Sequence, residues 1–252
     1  MNVRRILKPS YIISVVLVLF AWVYARPLGL LLAAKQSARS QPELGIVPKP
    51  LTDVSIDWSE GRTFSFFGYQ FEAPWTEVRQ EKILKSIAIV NFSNGASVIF
   101  FDPAKGVEFL ATLTGKGTKN EATLKKIFSD EATRSNYGLR SAILYLTPGD
   151  LRLFSSRQEM VASSVLLMMK PTWAKGKKGG LYSFQAERLR GFQDGDPAYK
   201  RVMIYAFDAQ DHEIQLVIAS GQAANQNFTQ SEVNRIVHSL HAVPNPAQVN
   251  SR

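Results

Sequence analysis

The chain has 252 residues, 45% hydrophobic and 20% charged, with a formal net charge of +9. These fractions exclude wholesale disorder, and the roughly 190–200 residues behind an apolar N-terminal segment suit one domain. The lack of cysteine excludes a disulfide framework, a thiolate zinc site and a cysteine nucleophile.

The excess charge is concentrated at the N-terminus. Residues 1–50 hold seven Lys and Arg against Glu43 alone, and the rest of the chain holds 23 basic and 20 acidic residues. Basic residues flanking an apolar helix orient it in a membrane and meet anionic head groups. A nucleic-acid footprint would need a basic face on the folded domain, so no nucleic-acid partner is expected.

Residues 1–10 form a basic cytoplasmic N-terminus. Tyr11–Ala25 is almost wholly apolar, Arg26-Pro27 interrupts it, and Leu28–Ala34 resumes it. A span needs ~20 residues, so 11–34 is predicted to be a transmembrane anchor, with the trailing domain extracytoplasmic. Arg4, Arg5, Lys8 and Val23-Tyr24-Ala25 also suit a cleavable signal peptide. Arg26-Pro27 is a poor mature start, however, and the apolar run continues past it. Residues 35–57, with Pro42, Pro48 and Pro50, read as an extended tether.

Residues 58–243 are expected to form the folded domain and 244–252 a loose tail. Thr63–Trp75 alternates aromatic with polar residues about Gly68, which predicts two short strands. Lys85–Phe92 and Ser97–Asp102 flank Asn94-Gly95, a hairpin signal. Val107–Thr114 suggests a short helix, and Asn120–Ser135 a longer one with Leu124, Ile127 and Phe128 inward. Leu139–Leu146 reads either way. Thr147-Pro148 opens a helix predicted to run to Lys170, stopped by Pro171. Strands are expected over Leu181–Phe192, Tyr199–Asp208 and His212–Ser220. Thr229–Glu232 is a capping box for a last helix reaching His241. This order predicts an α+β domain, an antiparallel sheet with helices packed on its faces.

Phe71-Glu72-Ala73-Pro74-Trp75, the helical middle, the two late strands and the closing helix Val233-Asn-Arg-Ile-Val-His-Ser-Leu240 resemble the PsbP/Mog1-like α/β/α sandwich over roughly 60–243. The resemblance implies a C-terminal helix on an antiparallel sheet and an accessory or binding module. It transfers no site residue.

No catalytic, cofactor or metal signature emerges. His238 and His241 would share a helix face but also suit the carbonyl end of a helix dipole. Asp194-Gly195-Asp196-Pro197 lacks the alternation of a calcium loop. Gly115-Lys116-Gly117-Thr118 lacks the first glycine of a phosphate loop. Trp173, Lys175, Lys177 and Lys178, with Lys170, form the one compact basic cluster of the domain, a candidate surface for lipid, glycan or an acidic protein. Two readings follow. The first is a membrane-anchored extracytoplasmic module that binds a protein, lipid or glycan without catalysis. The second is a carboxylate-based hydrolase, which requires Glu187, Asp194, Asp196 or Asp208 to converge in a cleft.

Overall fold

The computed structural model describes residues 28–33, 35–36, 40, 42–52, 54–106, 119–151, 156–168, 170, 180–221 and 227–243. The chain is an α+β fold around an eight-stranded mixed sheet. Its strands are β1 (Lys49–Pro50), β4 (Val78–Ile83), β5 (Ile87–Phe92), β6 (Ala96–Phe101), β7 (Leu181–Gln185), β8 (Arg190–Asp196), β9 (Arg201–Phe207) and β10 (Glu213–Ser220), in the order β1-β7-β8-β9-β10-β6-β5-β4. Every pairing is antiparallel except β1 with β7. The expected all-antiparallel sheet is thus corrected at one edge, where two residues of the predicted tether join it in parallel.

A second sheet, β2 (Arg62–Phe66), β3 (Tyr69–Ala73) and β11 (His241–Ala242), packs on one face. The helix α4 (Gln230–Ser239) packs beside β3. The other face carries α1 (Lys119–Ile127), α2 (Asn136–Tyr145) and α3 (Arg157–Met168). Inward positions alternate along β2, β3, β5 and β6. They fill the first core with Phe64, Phe66, Phe71, Phe92 and Phe100. Phe100 lies 5.9 Å from Phe71, ring on ring. The second core, under α2, holds Leu144, Phe192, Tyr205 and Phe207. A third, among the helices, holds Leu124, Leu139, Ile143 and Leu167.

Turns follow local chemistry. Phe67 and Gly68 both take positive φ, 50° and 82°, and reverse the β2–β3 hairpin tightly. At the β5–β6 hairpin only Gly95 does so, at 87°. Asn94 instead accepts the Ala96 N–H through its side chain at 2.9 Å.

Several elements differ from expectation. Leu181–Phe192 is two strands, since the chain reverses over Ala186–Leu189, where Ala186 N–H donates to the Leu189 carbonyl at 2.8 Å. Thr147-Pro148 opens a 3-10 turn, Pro148–Asp150, with its capping box formed, and α3 begins only at Arg157. The helix expected over Asn120–Ser135 ends at Ile127, and Ser135 caps α2. β4 was not predicted. The helix expected over Val107–Thr114 lies outside the described residues.

The capping box Thr229–Glu232 forms as read, and Glu232 also accepts the Trp75 indole N–H at 2.8 Å. It fixes the start of α4, whose Val233, Ile236 and Val237 are buried in the first core. Ile236→Ala is expected to destabilise the fold by ~2–5 kcal/mol, because its side chain is fully buried. The midpoint of urea unfolding measures this, and an unshifted midpoint would mean that α4 does not dock.

The segment 42–59 is integral to the domain. Leu44 is buried among the helices, β1 extends the sheet, and Leu51 N–H donates to the Ser183 carbonyl at 2.8 Å. Further on, Ser231 Oγ donates to the Ser55 carbonyl at 2.7 Å. Side chains distant in sequence satisfy the backbone of this strap.

Candidate binding cleft at the sheet edge

β1 is only two residues long, so it covers β7 as far as Ser183 and no further. Antiparallel pairing alternates the backbone direction. With Ala186 bonded to Leu189 across the turn, the backbone of Gln185 points away from β8, past the end of β1. Here the strap leaves the sheet for α4, opening a cleft of about 360 Å³ lined by Pro50, Thr52, Tyr137, Phe184, Gln193, Asn234 and His238, among others. It draws on the strap, β7, β8, the start of α2 and the outer face of α4.

The floor is an amide network. Gln193 is 1% exposed and Asn234 7%. Gln193 Nε2 donates to the Gln230 Oε1 at 2.8 Å, and Gln230 Nε2 lies within donor distance of Gln193 Oε1 and Asn234 Oδ1, at 2.9 and 2.8 Å. A buried amide costs several kcal/mol unless it is paired; here the amide oxygens and nitrogens of Gln193 and Gln230, and the Asn234 Oδ1, meet partners. The lining contains no carboxylate, lysine or arginine. Its recognition chemistry is therefore mainly that of neutral hydrogen bonds beside Phe184 and Tyr137, with His238 at the lining and the Arg190 guanidinium 4.1 Å from the Tyr137 ring centroid.

A second cavity of similar size lies among the helices, lined by Lys126, Phe128, Tyr145, Asp150, Glu159 and Ser163, with others. Asp150 is engaged in the capping box, accepting from Thr147 N–H at 2.8 Å and Thr147 Oγ1 at 2.7 Å.

The candidate hydrolase carboxylates do not all meet: Asp194 and Asp196 lie two residues apart on β8, Glu187 is in the β7–β8 turn, and Asp208 is set apart from the β8 pair. Asp194 shares its sheet face with Phe192, toward the helices, whereas Asp208 accepts from Tyr69 Oη at 3.0 Å on the opposite face. Asp196 pairs with Arg201 and Asp208 follows Phe207, so about 20 Å of strand separates them at ~3.3 Å per residue. Neither cavity is lined by any of the four. Asp208 is a turn cap, accepting Gln210 and His212 N–H at 3.0 and 2.9 Å. Burial, with Asp208 beside it, raises the Tyr69 phenol well above its ordinary value.

The histidines also separate. α4 ends at Ser239 and His241 belongs to β11, so His238 and His241 share no helix face. Among the described residues no group of three His, Asp or Glu could hold a metal ion.

Trp173, Lys175, Lys177 and Lys178 lie outside the described residues. Lys170 does not belong with them as a surface cation. It is 3% exposed, and its ammonium donates to the Ile46 and Leu146 carbonyls at 2.5 and 3.0 Å and, more distantly, to Leu44. Burial lowers its pKa to about 8, with the Asp150 charge opposing. It joins the strap to the helical layer.

No family model matches the chain, and neither does any curated protein or solved structure.

Proposed function

We propose that this protein is a membrane-tethered, non-catalytic module that binds an extended, uncharged peptide segment in the cleft beside β7. The observation that carries this reading is the neutral amide floor, Gln193–Gln230–Asn234, beneath an outward-turned strand edge. A peptide backbone matches both, because it adds to a sheet edge and meets amide donors and acceptors. The absence of paired carboxylates from the cleft favours binding over hydrolysis. The likeness in element order to PsbP/Mog1-like sandwiches, which serve as accessory modules, points the same way.

Tethering rests on the apolar run Tyr11–Ala25 and its basic flank, which lie outside the described residues. Among the described residues no helix is long and apolar enough to cross a membrane. The anchor expected over 11–34 is narrowed, since Leu31 is fully buried within the helical core. We place the span before residue 28. Residues 11–27 would rise ~25 Å as a helix, near the lower limit for a bilayer core.

The test uses the full chain in lipid nanodiscs, panned against random linear peptides and probed in parallel on a glycan array. Enriched peptides should lose at least tenfold affinity when exposed Thr52 is changed to Trp, which fills the cleft mouth. Thr52→Ser should bind like the parent. Glycan binding without peptide binding, or equal peptide binding by Thr52→Trp, would overturn the assignment.

A further inference from the structure

The described chain begins at Leu28 in the helical layer, and that origin bears on how the domain sits. Leu31 is buried with Leu124, Ile143 and Leu167, while Leu32 beside it is 61% exposed. Ala25, the last residue of the uninterrupted apolar run, is three residues from Leu28. Three residues reach at most ~11 Å even when fully extended. Wherever Tyr11–Ala25 is embedded, its end therefore lies within that distance of the helical layer.

That layer also exposes large apolar side chains. Tyr145, the last residue of α2, is 45% exposed, and Met168, the last of α3, is 41% exposed. Each follows buried neighbours (Ile143 and Leu144, Leu166 and Leu167), so each helix finishes by turning an apolar group outward. Tyrosine is at home where hydrocarbon meets water, and methionine adapts to irregular apolar surroundings. Lys126, and Arg157 at the start of α3, are exposed on the same layer, where long cationic side chains can reach head groups while their stems cover apolar surface.

The opposite side is more mixed. The outward residue of β2 between Phe64 and Phe66 is Ser65, and the edge strand β4 of the eight-stranded sheet carries Arg79, Glu81 and Lys82, with Ile83 61% exposed at its end and Trp58 56% exposed over Arg235. Charges of both signs on an edge strand resist further strand pairing.

We infer that the helical layer lies against the lipid bilayer, with Leu32, Tyr145 and Met168 inserted at the interface and the β2–β3–β11 sheet turned to water. This rests on the tethering in the proposed function and adds an orientation to it. The occupant of the apolar surface is the membrane in which the chain's own N-terminal segment ends. The cleft beside β7, built from both layers, would then open sideways, parallel to the membrane plane.

The lack of native cysteine makes a direct test clean. Single-cysteine variants Leu32→Cys, Tyr145→Cys, Met168→Cys, Ser65→Cys and Ile83→Cys of the full chain are spin-labelled and reconstituted into phosphatidylcholine–phosphatidylglycerol vesicles. The ratio of collision with oxygen to collision with a water-soluble nickel chelate is then measured. All are exposed positions, so folding should persist. Labels at 32, 145 and 168 are expected to give ratios severalfold above those at 65 and 83. Vesicle-bound protein with labels at 145 and 168 matching those at 65 and 83 would overturn the docking and leave the tether standing, even if the label at 32 reads lipid. Protein released by an alkaline wash would overturn both.

Discussion

Arg235→Met is expected to destabilise the protein by about 3 kcal/mol, the low end for removing one partner of a buried ion pair. Arg235 is 1% exposed, the largest fully buried side chain of the described residues. Its guanidinium donates to the Asp57 carbonyl at 3.0 Å and, through Nη2, to the Ser59 carbonyl and the Glu72 carboxylate. Trp58 covers it, with the ring centroid 5.9 Å away. One fork thus holds three acceptors, two on the strap and one on β3. Methionine would leave both carbonyls without this donor, although Asp57 and Ser59 are exposed residues whose carbonyls water can reach in part. The Glu72 side chain is 32% exposed and would recover part of its hydration, which sets the estimate low. Arg235→Lys keeps the charge but offers a point donor where a planar fork is needed, so it should restore only part of the loss. Urea midpoints of the three proteins measure this. Limited proteolysis adds a local reading, since loss of the fork should open 54–60 to cleavage before the domain unfolds. A midpoint for Arg235→Met equal to the parent's would show that β1, Lys170 and Ser231 hold the strap without it.

The strap also shows where sequence reading stops. Residues 35–57 read as a tether because their prolines and polarity carry no periodicity. The partners that hold part of this segment, Lys170, Ser183 and Ser231, lie far along the chain, and no local pattern announces them. β2, β3, β5 and β6 were legible because one face of each is buried and period two survives. β4 was not, because nearly all of Val78–Ile83 is exposed and nothing demands alternation. α2 was ambiguous for the opposite reason. Leu139 and Ile143 face the helical core while Leu144 faces the sheet, so two apolar stripes blur the single stripe that marks a surface helix. The turn at Ala186–Leu189 contains Glu187 and Arg188 and lacks the Gly, Pro or Asn that usually marks a reversal.

The cleft was less legible than the fold. In the sequence Gln193 is only a polar residue beside Phe192, and Asn234 only a member of the last helix. Their pairing through Gln230 depends on α4 crossing β8, a juxtaposition of elements some forty residues apart in sequence. A glutamine flanked two residues away on each side by glycine, Gly191 and Gly195, could have been flagged, since buried amides require partners. That signal would have suggested a network without locating it.

The buried pair Arg140–Glu213 sets the largest expected effect. Arg140 on α2 is 6% exposed and Glu213 at the start of β10 is 4% exposed. Arg140 Nη2 donates to Glu213 Oε1 at 2.5 Å, and the guanidinium lies 4.7 Å from the Tyr205 ring centroid. Gln215 Nε2 also donates to Glu213 at 2.8 Å. Arg140 Nε has no hydrogen-bond partner, so the ion is incompletely satisfied where desolvation is costly. Arg140→Met alone would strand a buried carboxylate, and Glu213→Leu alone a buried guanidinium. Each is expected to cost ~3–5 kcal/mol. Together they remove both charges and leave side chains suited to the adjacent core of Leu144, Tyr205 and Phe207. The double variant should therefore recover to about the parent's stability or above it. A double-mutant cycle on unfolding free energies measures this, with a coupling large enough to cancel most of both single losses. A double variant as unstable as the sum of the two singles would mean that the two charges are not coupled, whereas a strongly coupled double variant that stays well below the parent would mean that the pair does more than cancel its own desolvation.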